Sequence, residues 1–165
     1  MNEAERAIIR PITAADNPAV AAILREVMAE FGVVGCGYAS EDAEIDDMHG
    51  AYGGGGAAFF VVERAGRVMG CGGFGPLAGG DADTCELRKM YFLPALRGAG
   101  LGGRLLATCL EAARRCGYRR CYLETTDAMR QARRLYRAFG FEALEAAMGD
   151  TGHPGCNRWM ALALD

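Results

Sequence analysis

The sequence is poor in several features that mark membrane and exported proteins. Its longest uncharged stretches, 48–62 and 68–80, are rich in glycine and shorter than the roughly 20 apolar residues that a membrane span needs. The N-terminus reads MNEAER, which is polar and acidic where a signal peptide is basic and then apolar. These absences predict a cytoplasmic protein that does not associate with a membrane.

Metal-ligand patterns are also scarce. The chain has seven cysteines but no C-x-x-C pair, and its two histidines, His49 and His153, lie far apart. Most of the cysteines fall in predicted strands or helices, where a free cysteine usually behaves as a small buried hydrophobe. Without ligand spacing, a structural zinc site is not expected, and we predict no metal.

The composition is that of an ordinary folded domain. Of the 165 residues, 51% are hydrophobic and 24% are charged, which excludes a mainly disordered chain. This length suits one domain over 1–165 and leaves little room for a second.

Charge is distributed unevenly along the chain, and all but one of the basic residues are arginines. Residues 1–96 carry 7 basic and 14 acidic side chains, whereas residues 97–137 carry 10 basic and 3 acidic ones. A basic band between acidic segments indicates an anionic ligand held at one place. The overall net charge of −3 argues against a nucleic-acid partner, so a phosphate-bearing small molecule fits better.

The hydrophobic pattern predicts alternating strands and helices. Strands are expected at 7–11, 58–64, 67–74, 84–93, 118–125, 141–146 and 157–164. Helices are expected after Asn17-Pro18, which would supply the N-cap and the first helical residue, and at 101–117 and 128–139, with a short helix within 41–52. Early hairpins followed by strand–helix–strand units predict an α/β (α+β) fold with a mixed sheet.

A glycine-rich segment, Arg97-Gly98-Ala99-Gly100-Leu101-Gly102, stands between a predicted strand and a predicted helix. Its backbone N–H groups and the positive end of the helix dipole can converge on one point, which is how proteins hold a pyrophosphate. The segment also fits the dinucleotide fingerprint G-x-G-x-x-G, with Glu124 as the later acidic residue. However, predicted antiparallel strands precede the segment and a single strand–helix–strand unit follows, which disfavours a Rossmann domain.

Three segments together resemble a known family. The runs CELRKMYFLPALRGAGLGGRLL, GYRRCYLETT and ARRLYRAFGFEAL are similar to the GNAT superfamily of acyl-CoA-dependent N-acyltransferases. Arg97-x-x-Gly100-x-Gly102 matches the family's pyrophosphate loop, and the second motif matches from Ala132 through Phe141. The resemblance implies a mostly antiparallel sheet of about seven strands flanked by helices, and transfer of acetyl from acetyl-CoA to an amine.

The resemblance also assigns the cofactor site. Coenzyme A would lie in a gap between the strands 84–93 and 118–125, with backbone groups of Met90 and Phe92 on its pantetheine arm. Where the family often has an asparagine that contacts this arm, the chain has Met129. The implied cofactor-binding residues are Met90, Tyr91, Phe92, Arg97, Gly98, Ala99, Gly100, Leu101, Gly102, Gly103, Arg133 and Tyr136.

The implied reaction is direct attack of the amine on the thioester in a ternary complex. The leaving thiolate benefits from a proton donor, and Tyr136 matches the family's general acid. The attacking ammonium must lose a proton, and Glu86 and Glu124 are both candidates for the base. Glu86 is preferred because it opens a strand otherwise suited to burial, although a solvated position at the rim fits either residue.

The acceptor side, meaning the part of the site that binds the amine, is expected to be formed by residues 32–52 and 147–157. The acidic cluster Glu41, Asp42, Glu44, Asp46 and Asp47 could attract a cationic amine, or could be an ordinary solvated loop. His153 is interpreted as a turn residue before Pro154, in preference to a polar group that supports the site, and Cys156 has no basic partner nearby in the sequence that would make it a nucleophile. The acceptor remains a small-molecule or peptide amine, a homodimer remains open, and the alternative function is a non-catalytic acyl-CoA sensor on the same fold.

Overall fold

A twisted sheet runs through the molecule in a computed structural model that describes residues 6–35 and 37–165. Across the described part of the chain the strands lie in the order β1-β2-β3-β4-β5-β7-β6. The strands are β1 (Ile8–Pro11), β2 (Ala58–Arg64), β3 (Arg67–Pro76), β4 (Thr84–Phe92), β5 (Arg120–Thr125), β6 (Glu142–Leu144) and β7 (Arg158–Ala163). The helices are α1 (Asn17–Glu30), α2 (Met48–Ala51), α3 (Leu101–Arg115) and α4 (Arg130–Ala138).

The predicted mixed sheet is confirmed. β4 and β5 pair in parallel, as expected of two strands joined by α3, and the other neighbouring strands pair antiparallel. The β2–β3 hairpin turns at Ala65 and Gly66, whose φ angles of 52° and 76° suit the right-handed twist of the strands. β7 inserts between β5 and β6, so these two strands are not neighbours.

Local sequence signals were wrong at some element ends. Asn17 is the first residue of α1 and not its N-cap; its side-chain amide instead donates to Asp47 Oδ1 at 2.9 Å and accepts from the His49 backbone N–H at 3.0 Å. α4 begins at Arg130, two residues later than predicted, because a turn closed by the Met129 N–H and the Thr126 carbonyl occupies its expected start.

The core lies where the helices meet the middle of the sheet. The predicted apolar face of α3 is buried against β2, β3 and β4, and it comprises Leu101, Leu105, Cys109, Leu110 and Ala113. Cys71, Cys85, Cys109 and Cys121 are buried as expected, whereas Cys116, just after α3, is exposed. Cys36 lies outside the described residues.

The feature that positions the site is the parting of β4 from β5. The two strands pair at Thr84, Cys85 and Glu86 of β4. Among the described residues, the pairing does not continue beyond these three positions. β4 then continues to Phe92 and β5 to Thr125, so a gap opens between their C-terminal halves. This is the gap in which the resemblance to the GNAT superfamily implies that coenzyme A lies.

Among the described helices, none combines the length and the apolar character required to cross a bilayer.

Candidate active site

The glycine-rich segment forms an open loop at the start of α3. Gly98 and Gly100 have φ angles of 79° and 77°, a conformation that side chains with a Cβ rarely adopt. A Cβ at either position would meet no atom within 4 Å, so the backbone there faces open space. The first N–H groups of α3 have no partner within the helix and are available to an anion.

This loop borders a cavity of about 260 Å³, the glycine-loop cavity. It contains most of the residues predicted to bind the cofactor, together with residues of α1 and α4. Its lining is Val27, Phe31, Met90, Tyr91, Phe92, Leu96, Arg97, Gly98, Gly100, Leu101, Gly102, Gly103, Met129, Gln131, Ala132 and Leu135.

Arg97 is anchored at the edge of this cavity. Its guanidinium donates to both carboxylate oxygens of Glu30, at 2.7 and 2.6 Å, and to the Phe92 carbonyl. It also lies 5.4 Å from the centre of the Phe31 ring. Through these contacts the Arg97 side chain joins α1 to the end of β4. The backbone of the loop is left to face the cavity.

Three predicted cofactor residues are not in the lining of the glycine-loop cavity. Ala99 belongs to the loop but does not line it, and Arg133 lines a separate cavity with Arg137 and Trp159. Tyr136 is 7% exposed, and its ring lies 5.7 Å from that of Phe141. Burial raises the pKa of Tyr136, which keeps its hydroxyl protonated. The roles of these residues remain predictions.

A second, smaller cavity, here the carboxylate cavity, adjoins the first. The two share Tyr91 and Met129, the residue at the family's asparagine position. The lining of the carboxylate cavity is Met28, Val33, Tyr38, Ala39, Glu86, Leu87, Arg88, Lys89, Tyr91, Glu124, Thr125, Thr126, Met129, His153 and Cys156.

The structure brings together the two candidate bases. Glu86 is 5% exposed, and its Oε1 accepts a hydrogen bond from Arg88 Nε at 2.8 Å. Burial raises the pKa of Glu86, and Arg88 opposes that rise. Glu124 Oε2 accepts from the Tyr122 hydroxyl at 2.7 Å, and its Oε1 accepts from the Thr151 hydroxyl. Each oxygen of Glu124 therefore accepts one hydrogen bond, whereas Glu86 Oε2 makes none with any described residue.

His153 belongs to this cavity, and it also begins the turn that the sequence favoured before Pro154, which the Cys156 N–H closes on the His153 carbonyl at 3.2 Å. Its Nε2 lies 2.8 Å from Asp42 Oδ1, and its Nδ1 lies 3.9 Å from Glu124 Oε1. The hydrogen bond with Asp42 raises the pKa of His153. Asp42 and His153 are 111 positions apart, so no spacing rule could have joined them.

The acidic cluster predicted for the acceptor side divides between several structural roles. Asp42 and Glu44 contact the ammonium of Lys89, Asp46 pairs with Arg25 at 2.9 Å, and Asp47 accepts from the Gly50 N–H at the start of α2. Neither of the two expectations, attraction of a cationic amine or an ordinary solvated loop, describes the whole cluster.

The residues of the carboxylate cavity bear on two further chemistries, metal binding and nucleophilic attack by a thiol. Glu86, Glu124 and His153 each offer one ligand atom within 4.8 Å of the others, so together they could hold a metal ion. Burial raises the pKa of Cys156 to about 12, which keeps its thiol protonated and makes it a poor nucleophile.

Residues 20–141 match the model of the acetyltransferase (GNAT) family. The chain belongs to this GNAT family. It is similar to the uncharacterized N-acetyltransferase YjgM of Escherichia coli K12, with 46% identity over 150 residues that cover 90% of each chain.

Solved structures agree with this GNAT assignment. The Salmonella typhimurium protein YncA, solved with its cofactor acetyl-CoA, is 26% identical, with a TM-score of 0.77 over 97% of this chain and 95% of its own. A GNAT-family acetyltransferase from Staphylococcus aureus Mu50 has a TM-score of 0.80 at 16% identity, over 96% and 99% of the two chains, which shows the shared fold.

Proposed function

We propose that the protein transfers an acetyl group from acetyl-CoA to a primary amine by direct attack. The observation that carries this proposal is the meeting of the two cavities at Tyr91 and Met129. One cavity carries a glycine loop suited to a pyrophosphate, and the other carries two carboxylates suited to an ammonium. A thioester entering from the first would meet an amine entering from the second.

The glycine loop would hold the pyrophosphate of acetyl-CoA with its backbone N–H groups. The pantetheine arm would follow β4 in the gap beside β5, where Met90 and Phe92 offer backbone groups. One N–H of this strand would donate to the thioester carbonyl oxygen and stabilise the negative charge that forms there on attack. The similarity to YncA supports acetyl-CoA as the cofactor.

Glu86 would act as the general base. Its raised pKa lies closer to neutrality than that of an ordinary carboxylate, which makes it a more effective proton acceptor. Its Oε2 also makes no hydrogen bond with any residue that the structure describes, whereas both oxygens of Glu124 accept hydrogen bonds. Glu124 would contribute negative charge that favours binding of the cationic amine.

Tyr136 would act as the general acid. It follows Leu135 on α4, a helix that lines the glycine-loop cavity through Gln131, Ala132 and Leu135. In the proposed step Glu86 first takes one proton from the bound ammonium, and the neutral amine nitrogen then bonds to the thioester carbon. The C–S bond breaks as the sulfur takes the proton of the Tyr136 hydroxyl, and the second proton that the nitrogen loses on becoming an amide restores the Tyr136 hydroxyl.

The test is release of coenzyme A thiol from acetyl-CoA across a panel of amines, including alkylamines, amino acids, polyamines, aminoglycosides and short peptides. Turnover with one class supports the enzyme and identifies its acceptor. Binding of acetyl-CoA without turnover of any amine would instead support the non-catalytic acyl-CoA sensor.

A further inference from the structure

The single lysine of the chain interrupts β4 with a bulge. Cys71 and Gly73 of β3 pair with Tyr91 and Arg88, so Lys89 and Met90 together face one residue of the partner strand. Lys89 has a φ of 53°, in the left-handed region that residues with a Cβ seldom occupy. Such a conformation persists where surrounding contacts hold it in place.

The side chain of Lys89 provides those contacts. It is 2% exposed, and its Nζ lies 2.6 Å from Asp42 Oδ2 and also contacts Glu44 Oε1. Both acidic residues belong to the segment 39–47, which consists mainly of short 3₁₀ turns. The other carboxylate oxygen of Asp42 contacts His153. One ammonium therefore joins β4, the segment 39–47 and, through Asp42, the segment that carries His153.

This junction lies beside the carboxylate cavity and away from the cofactor loop. Lys89 lines the carboxylate cavity and a neighbouring polar cavity that also contains Asp42, Glu44 and Thr151. It is not in the lining of the glycine-loop cavity. Its contacts therefore shape the acceptor side of the site.

We propose that Lys89 is a positioning residue that holds the acceptor wall, meaning 39–47 and His153, against the strand that faces the thioester. The inference rests on the proposed function, because it assigns Lys89 a part in amine binding and leaves acetyl-CoA binding to other residues. Without the ammonium, Asp42 and Glu44 lose their shared partner and His153 loses its fixed neighbour.

Two variants distinguish the effect of the Lys89 ammonium from the effect of the bulge in β4. Lys89→Met keeps much of the side-chain length but removes the charge, and Lys89→Gly removes the side chain while favouring the positive φ. Both are expected to raise the KM for the amine at least tenfold and to leave the dissociation constant of acetyl-CoA within about twofold. Lys89→Arg can still bridge two carboxylates and should recover part of the loss.

A matched control removes an exposed ion pair. Arg115 donates to Glu111 at 2.7 Å on the surface of α3. Arg115→Met should therefore leave the KM for the amine and the dissociation constant of acetyl-CoA unchanged. Because Lys89→Met leaves two carboxylates without their cation, it could fail to fold. The triple variant Lys89→Met, Asp42→Asn, Glu44→Gln removes the three charges together, and it should show the same rise in the KM for the amine.

Hydrogen exchange measures the same junction independently of turnover. In folded Lys89→Met, or in the triple variant, backbone amides of 39–47 should exchange at least tenfold faster, while those of β2 and β3 remain unchanged. Unchanged exchange in 39–47 overturns the proposal, and so does an unchanged KM for the amine in an active enzyme. If the wild type acetylates no amine, the proposed function fails, and the exchange experiment alone decides whether Lys89 holds the wall.

Discussion

Glu86 and Glu124 approach each other across the point where β4 and β5 part, and each offers an oxygen within 4.8 Å of the other. The two carboxylates differ in their environment. Among the described residues, one oxygen of Glu86 has no hydrogen-bond partner, and burial raises the pKa of this carboxyl, to which the charge of Glu124 also contributes. This difference is the reason for proposing Glu86 as the base, and it makes the proposal testable.

Glu86→Gln should lower kcat about 100-fold, the lower end of what a positioned general base contributes. It should also remove the acidic limb of the pH–rate profile, because the rate then no longer depends on deprotonating this carboxyl. Steady-state kinetics from pH 5 to 9 measures both effects. Glu111→Gln, at an exposed position, is the matched control. Full activity of Glu86→Gln across this range would contradict the role of Glu86.

Arg88→Met should move the acidic limb of the wild-type profile to higher pH. Arg88 lowers the pKa of Glu86 through its charge and hydrogen bond, so its removal lets burial raise that pKa further. A base works when deprotonated, and a higher pKa therefore requires a higher pH for the same rate. A limb that stays in place or moves to lower pH would show that Glu86 is not the group observed.

Tyr136→Phe should lower kcat at least tenfold while leaving the dissociation constant of acetyl-CoA unchanged, because only the proton of the hydroxyl is lost. Burial raises the pKa of Tyr136, so the wild-type rate should show no alkaline limb below pH 10 from this group. Tyr118→Phe is the control, since it also removes a hydroxyl, one that donates to the Gly56 carbonyl at 2.6 Å. Equal activity of the two variants would remove Tyr136 from the mechanism.

Gly100→Ala should weaken acetyl-CoA binding about tenfold, since alanine disfavours the positive φ that opens the cradle. Isothermal titration with acetyl-CoA measures this loss. Gly66→Ala is matched closely, because Gly66 has a φ of 76° and open space around it but lies in the β2–β3 turn. If both variants bind acetyl-CoA like the wild type, the loop backbone is not the pyrophosphate site.

Asp16→Asn should destabilise the fold by about 1 to 2 kcal/mol at pH 7. Asp16 accepts two hydrogen bonds from Arg10, at 2.7 and 3.0 Å, which lower its pKa from 3.8 to about 2. A lowered pKa gives stability that is present above pH 4 and is lost as the pH falls towards 2. Urea unfolding should therefore show that the difference in the free energy of unfolding between wild type and variant becomes smaller as the pH falls from 4 towards 2. Asp46→Asn, in an exposed pair with Arg25, should change little.

The sequence was sufficient for the parts of the fold that depend on local patterns. The strand Ala58–Arg64 and the turn at Ala65-Gly66 were predicted to the residue, because a short run of aromatic and β-branched residues and turn chemistry act over a few positions. The glycine loop was found for the same reason. Asn17 was misassigned because its side chain binds Asp47 and His49, which belong to a distant segment.

The acceptor side was much harder to predict. Its contacts join residues far apart in sequence, such as Lys89 with Asp42 and Asp42 with His153, through loops without a periodic pattern. The cluster of acidic residues was visible, but its division between Lys89, Arg25 and the start of α2 depends on the folded path of the chain.

The burial of Lys89 also bears on self-modification. Lysine side chains are potential acceptors for acetyl groups, and this chain has one, with its ammonium enclosed by two carboxylates. With its side chain 2% exposed and its nitrogen held by both carboxylates, this lysine is shielded from a thioester. The protein can therefore be mixed with acetyl-CoA without offering a reactive lysine of its own. An acetyl group detected on Lys89 by mass spectrometry would show that the acceptor wall had opened.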